Sequence, residues 1–84
     1  MDEIEEFLKK ALLRKFYRGG YWGNKHMRED NVPKGFPSHL RKKVMEVAEE
    51  LRKNGFLCKK PTSHDNQWYA NIDRLPEIER IISD

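Results

Sequence analysis

Apolar residues recur at helical spacing in two long stretches of the chain. In the first stretch, residues 2–17, they are Ile4, Phe7, Leu8, Ala11, Leu12 and Phe16. In the second, residues 38–54, they are Leu40, Val44, Val47, Ala48 and Leu51. At about 100° per residue each set forms one stripe along a helix. The pattern therefore predicts two amphipathic helices, each with one face against a core.

The ends of both helices carry recognisable signals. Asp2 is suited to cap the first helix, and acidic residues fill its first turn. Pro37 prevents an earlier helix from running on into the second one. The Ser38 hydroxyl can accept a hydrogen bond from the free N–H groups in the first turn of the second helix. After this helix, Asn54 and Gly55 suit a C-terminal cap in which one residue has the left-handed backbone conformation. We therefore predict that the second helix spans residues 38–54.

Two short strands are predicted after the second helix. Residues 56–60 begin with the apolar run Phe56, Leu57 and Cys58. Residues 67–72 alternate, with Trp68, Ala70 and Ile72 on one face. The polar, turn-forming residues between them predict a hairpin with a flexible tip. Cys58 is expected to be a buried structural thiol within the first strand.

The segment between the two long helices predicts shorter elements. Gly19 and Gly20 end the first helix, and residues 21–27 are expected to form a turn and a short extended segment, in which Tyr21 and Trp22 close the edge of the core. Asp30 or Asn31 can then cap a stub helix whose first turn accepts Pro33 and which Gly35 and Pro37 end. Val32 and Phe36 would face inward from it.

A last helix is predicted over residues 75–83, capped by Asp73. Its apolar face consists of Leu75, Ile78, Ile81 and Ile82. Two explanations fit this face. It packs against the first helix of its own chain, or the two terminal helices together form a two-fold homodimer contact.

Length and composition limit the class of protein. The chain has 84 residues, enough for one small domain over residues 1–84. A single cysteine excludes an internal disulfide and a cysteine-cluster zinc site. No apolar run approaches membrane-spanning length, and the N-terminus is acidic where a signal peptide would be basic. We therefore expect an intracellular, cytoplasmic protein.

Charge is segregated along the chain. The net charge is +3, but residues 9–60 contain fifteen Lys or Arg and five Asp or Glu. The two ends together contain two Lys or Arg and nine Asp or Glu. A basic surface attracts polyanions because each neutralised phosphate releases counterions. The sequence therefore predicts a cationic surface formed by the start of the second helix and the hairpin, with the acidic termini behind it.

The order of predicted elements resembles the winged-helix family of helix-turn-helix domains. That order is helix, short strand, short helix, recognition helix, two-stranded wing hairpin and C-terminal helix. The stretch Val47-Ala48-Glu49-Glu50-Leu51-Arg52-Lys53-Asn54-Gly55-Phe56-Leu57 looks like the family's frequent ending of its recognition helix. The stretch Lys59-Lys60-Pro61-Thr62-Ser63 is similar to the wing of small archaeal and bacterial regulators. The resemblance implies a small α+β domain.

The resemblance also implies double-stranded DNA as the partner and transcription regulation as the role. The start of the recognition helix would enter the major groove, where Arg or Lys can pair with guanine O6 and N7. The residues that would face DNA are Ser38, His39, Arg41, Lys42 and Lys43. The wing would contribute Lys59, Lys60, Ser63, His64 and Asn66, and phosphates beside the stub helix would meet Lys25 and Lys34. Glu46 and Glu49 would repel phosphate if the helix lay deep along the groove, and few residues at its start can read bases. We therefore expect modest sequence specificity, or binding mainly through the DNA backbone.

Other functional classes use the same features differently. An RNA-binding winged helix would stack unpaired bases on Tyr21, Trp22, Trp68 or Tyr69. A protein-interaction module would expose an apolar patch instead. An enzyme is disfavoured, because the three histidines, His26, His39 and His64, lie on separate elements without spaced carboxylates. The sequence predicts no cofactor and no metal site.

Overall fold

Three α-helices and a three-stranded antiparallel sheet form the structure, a computed structural model that describes residues 2–83. The elements in chain order are α1 (Glu3–Arg18), β1 (Met27–Arg28), α2 (Arg41–Lys53), β2 (Leu57–Pro61), β3 (Asn66–Ala70) and α3 (Leu75–Ser83). The predicted α+β class is confirmed. The layout is also compatible with a winged helix, since β3 lies in the middle of the sheet between β1 and the hairpin partner β2.

The predicted stripe is buried in α2 but only in part in α1. In α1, Leu8, Leu12 and Phe16 are buried as predicted, and Leu13 is buried with them, whereas Ile4 and Phe7 are exposed. Asp2 caps α1 as predicted, because its Oδ1 accepts a hydrogen bond from the Glu5 amide at 2.7 Å. The stripe of α2 is buried at Val44, Val47, Ala48 and Leu51, while Leu40 packs at its edge. Gly55 follows α2 with a φ of 86°, the left-handed cap that the sequence predicted.

The start of the second helix differs from the prediction. Residues Ser38–Leu40 form a 3₁₀ turn, and regular α-helix begins only at Arg41. The Ser38 side chain makes no capping hydrogen bond. Instead the Leu40 amide donates to the Pro37 carbonyl at 2.9 Å, so a tighter turn replaces the predicted cap.

The register of the sheet sorts its side chains onto two faces. On the inner face Leu57 pairs with Ala70, and Trp68 pairs with both Lys59 and Met27. Leu57, Trp68, Ala70 and Met27 are all buried. Cys58 is therefore on the outer face, opposite Tyr69, and is half-buried. The expectation of a buried thiol was wrong because the strand alternates and Leu57 takes the inward position.

The second strand of the hairpin ends earlier than predicted. It stops at Ala70, and Ile72 lies in a 3₁₀ turn with 57% of its surface exposed. Asn71 turns the chain: its Nδ2 donates to the Gly55 carbonyl at 2.8 Å, and its Oδ1 accepts from the Asp73 amide at 3.1 Å. Asn71 therefore caps the 3₁₀ turn Ile72–Arg74 that leads into α3, whereas the sequence assigned a helix cap to Asp73. Ile72 does not share the inner face.

The predicted stub helix is a 3₁₀ turn over Glu29–Asn31 followed by turns through Gly35. Pro33 has no N–H, so the α-helical bond to the Glu29 carbonyl cannot form, and the Val32 amide donates to it instead at 3.1 Å. Val32 is nevertheless fully buried and Phe36 packs against the core, as predicted.

The terminal helices pack against each other within the chain. Ile78 of α3 is buried with Leu8, Leu12, Leu13 and Phe16 of α1 in one core cluster. Tyr21 and Trp22 pack at the edge of that core, as predicted. Within residues 2–83, none of the helices combines the length and the hydropathy needed to cross a membrane.

Candidate nucleic-acid interface

Four polar side chains at the start of the second helix point into solvent. Ser38 and His39 lie in the 3₁₀ turn, and Arg41 and Lys42 begin α2; all four residues are exposed. Within residues 2–83, none of their side chains forms a hydrogen bond or ion pair. The positive end of the helix dipole lies at the same place, so this turn can attract an anion without first breaking an internal contact.

Lys43, the fifth predicted residue of this helix, faces α1 instead. Its Nζ lies 2.7 Å from Glu5 Oε1, in an ion pair that is about one-third exposed on both sides. The hydrogen bond to Glu5 raises the pKa of Lys43, and the Glu5 charge adds to the effect. The structure therefore places Lys43 in the contact between the two long helices.

The hairpin divides its predicted residues between two faces. Lys60, Ser63 and His64 are exposed. The tip is closed by Thr62, whose Oγ1 donates to the Asp65 carbonyl at 2.6 Å and whose amide donates to the same oxygen at 2.8 Å. The sequence predicted a turn here from its polar residues, Thr62 among them, but did not assign Thr62 the role of closing it.

Lys59 and Asn66 point inward from the hairpin. Lys59 Nζ lies 2.7 Å from Glu49 Oε1 and 5.3 Å from the centre of the Trp68 ring. The hydrogen bond from Lys59 lowers the pKa of Glu49, and Arg52 lowers it further. The charge of Glu49 is thus compensated by two cations, which weakens the repulsion of phosphate that the sequence predicted. Asn66 contacts Glu29 through its Nδ2 at 3.3 Å.

The two flanking lysines are both exposed but are held differently. Lys25 Nζ donates to the Gly19 carbonyl at 2.7 Å and lies 4.7 Å from the centre of the Tyr21 ring. The Lys34 side chain has no partner within the described residues. Burial lowers the pKa of nearby Lys15, and the Lys34 charge adds to that effect. Lys34 therefore adds to the free cations that precede α2.

Lys15 of α1 organises the loop before α2. Its ammonium donates to the carbonyls of Asn31, Val32 and Lys34 at 2.6, 2.9 and 2.7 Å. Burial lowers the pKa of Lys15. Sequence reasoning missed this residue because a lysine on an amphipathic helix gives no sign of a partner 16 or more residues away.

Glu29 joins the loop to the central strand. Its Oε1 accepts from the Trp68 indole Nε1 at 3.0 Å. Trp68 is fully buried. A base therefore has no access to the Trp68 ring, and Trp68 does not belong among the stacking candidates. Tyr21, Trp22 and Tyr69 keep part of their surface in solvent.

A cleft of about 200 Å³ lies between α1 and α2. Val47 and Leu51 form its apolar part, and its charged lining mixes Lys9 and Lys43 with the acidic residues Glu5, Glu46 and Glu50. Opposite charges alternate here, so the cleft favours no ligand of one sign. Residues 2–83 contain no group of three or more His, Cys, Asp or Glu side chains placed to hold a metal ion.

Comparison with known proteins assigns no family to this chain: no family model, no curated protein and no solved structure matches it.

Proposed function

We propose that this protein binds double-stranded DNA and acts as a small winged-helix transcription regulator. The order of elements and the sheet order β1-β3-β2 support the proposal, because they are compatible with a winged-helix layout in which the 3₁₀ turn Glu29–Asn31 stands in the place of the short helix. In this arrangement α2 is the recognition helix and the β2–β3 hairpin is the wing.

One observation carries the proposal: the start of α2 presents cations that no internal acid neutralises. Arg41 and Lys42 are exposed and unpaired within residues 2–83. In the major groove either side chain can donate to guanine O6 and N7. Ser38 and His39, one turn earlier, would donate to the phosphate backbone together with the helix N-terminus.

The hairpin and the loop before α2 supply further phosphate contacts. Lys60, Ser63 and His64 would serve the neighbouring groove or backbone, and Lys25 and Lys34 would meet phosphates beside the loop. Glu46 remains exposed on α2 and limits how deeply the helix can lie. We therefore infer binding that depends mainly on the backbone, with modest sequence specificity.

Salt-titrated binding to duplex DNA tests the proposal. Arg41→Ala and Lys42→Ala should each weaken binding and reduce the slope of log K against log salt by roughly 0.9 per lost phosphate contact. Lys53→Ala is the matched control, because Lys53 is an exposed cation at the opposite end of the same helix. If all three variants bind with the affinity and salt slope of the unaltered chain, the assigned face is wrong.

A homodimer through the terminal helices belongs to the same proposal. Much of the apolar surface of α1 and α3 is used within the chain, but Ile4 and Phe7 remain 55% and 67% exposed. Sedimentation at several concentrations measures the association. A monomer at every concentration would restrict α3 to its role in the core.

A further inference from the structure

The outer face of the sheet carries two rows of polar and aromatic side chains. In one row Arg28 of β1 pairs with Gln67 of β3, which pairs with Lys60 of β2. In the next row on this face, two residues along β3, Tyr69 pairs with Cys58. Alternation places these residues on the side opposite buried Trp68 and Ala70. The helices pack on the inner side. On the outer face Arg28 and Lys60 are exposed, and Gln67, Tyr69 and Cys58 are half-buried.

An aromatic pair extends the second row. The rings of His26 and Tyr69 are stacked, with centroids 4.4 Å apart and an angle of 17° between their planes. His26 is held in place, because Nε2 lies 2.9 Å from the Gly23 carbonyl and Nδ1 lies 3.3 Å from Gln67 Oε1. The two rings therefore form an oriented stack on the sheet surface.

Cations lie beside this stack at the level of the first row. Arg28 is 65% exposed, and its Nε lies 3.0 Å from Asp65 Oδ2 and 3.8 Å from Asp30 Oδ1. Lys60 is exposed and has no side-chain partner within residues 2–83. The two rows are about 7 Å apart along the strand, two residues at 3.4 Å each.

We propose that this outer face, built from the His26–Tyr69 stack with Arg28, Lys60 and Gln67, binds single-stranded nucleic acid. An unpaired base extends the aromatic stack, and the neighbouring phosphates contact Lys60 and Arg28. Gln67 offers an amide to a base edge. A duplex cannot use this site in the same way, because its bases are stacked on each other and their faces are covered.

The acidic residues beside Arg28 should weaken its contact with phosphate. A phosphate that reaches Arg28 competes with Asp65 for the guanidinium group. Asp65→Asn removes that competing charge and keeps the backbone carbonyl that closes the hairpin with Thr62. This substitution should therefore tighten binding of single strands, whereas Arg28→Gln should weaken it.

Fluorescence anisotropy with labelled oligo(dT) and oligo(U) tests the site at low salt. Tyr69→Leu should weaken binding by about 5- to 150-fold, the range for loss of one base–aromatic stack. Tyr69→Phe keeps the ring and should bind like the unaltered chain. Arg28→Gln should reduce the salt slope by roughly 0.7, the value for one phosphate of a single strand. Phe7→Leu is the matched control, since Phe7 is an exposed aromatic on α1.

The outcomes are distinct. Loss of affinity in Tyr69→Leu and Arg28→Gln, with Tyr69→Phe and Phe7→Leu unchanged, supports the site. If circular dichroism shows that Tyr69→Leu does not fold, the affinity of Arg28→Gln alone tests the site, because Arg28 is exposed. No binding of either oligonucleotide, an unchanged Tyr69→Leu that is folded, or an unchanged Arg28→Gln would overturn the proposal. Duplex binding by α2 is a separate measurement, because neither Tyr69 nor Arg28 belongs to the proposed duplex contacts.

Discussion

Replacing Lys15 with Met removes the ammonium group that holds the loop before α2. Methionine keeps the length and the apolar stem of the side chain but cannot donate to the carbonyls of Asn31, Val32 and Lys34. Water can replace the ammonium at Lys34, which is exposed, but not readily at Val32, which is fully buried. The substitution therefore leaves at least one carbonyl poorly satisfied.

The expected cost follows from these contacts. Hydrogen bonds to a charged donor contribute about 1.5–3 kcal/mol each, but the cost of partly burying the ammonium, seen in the lowered pKa of Lys15, offsets part of the sum. We expect Lys15→Met to reduce the free energy of unfolding by about 2 kcal/mol. This is a large share of the roughly 4–12 kcal/mol typical of a domain of this size.

Urea unfolding followed by circular dichroism measures the effect. With an m-value of about 1 kcal/mol/M, the midpoint should fall by about 2 M. Lys42→Met is the matched control, because Lys42 is exposed and unpaired within residues 2–83, and it should change stability by less than about 0.5 kcal/mol. Equal midpoints for the two variants would refute the role assigned to Lys15.

Three further predictions concern single contacts. Glu29→Ala leaves the buried Trp68 indole N–H without its acceptor. It should lower the free energy of unfolding, measured in urea, by about 1–3 kcal/mol and change the tryptophan fluorescence. A loss of stability below about 0.5 kcal/mol would contradict this role of Glu29. Gly55→Ala should cost about 1 kcal/mol or more, because φ there is 86° and the added methyl meets a side chain at 2.9 Å; a stabilised variant in thermal melts would count against this reasoning. Lys59 lowers the pKa of Glu49, so the stability from this carboxylate is present above its usual pKa and lost as pH falls through the lower folded-state value. Glu49→Gln should therefore be less stable than the unaltered chain at pH 7 by about 0.2–1 kcal/mol, and this difference should shrink towards pH 3. A difference in stability that does not change with pH would exclude the ion pair as its cause.

Local sequence signals were sufficient for the main elements. The buried stripe of α2, the central part of the α1 stripe, the Asp2 cap, the Gly55 cap and the alternation of Trp68 and Ala70 were predicted, because each depends on residues within a few positions of one another. The prediction placed Ile4 and Phe7 of α1 against the core, but both are exposed. The predicted fold class follows from the order of these elements.

Contacts between distant residues decided what local signals could not. The 3₁₀ turns at Glu29–Asn31 and Ser38–Leu40 replaced a stub helix and a serine cap, and the early end of β3 depends on Asn71 reaching the Gly55 carbonyl. The same limit applies to the candidate site. Sequence could count its cations, but it could not show which of them are already paired.

The unpaired cations illustrate the difference. Lys42 and Lys43 are adjacent in the chain and equal in charge, yet Lys42 is free in solvent and Lys43 is held by Glu5 of α1. Composition and periodicity determined that this chain folds as a small α+β protein with a basic middle. Only tertiary packing determined where that charge remains available, because an ion pair depends on the distance between side chains and not on their separation in the sequence.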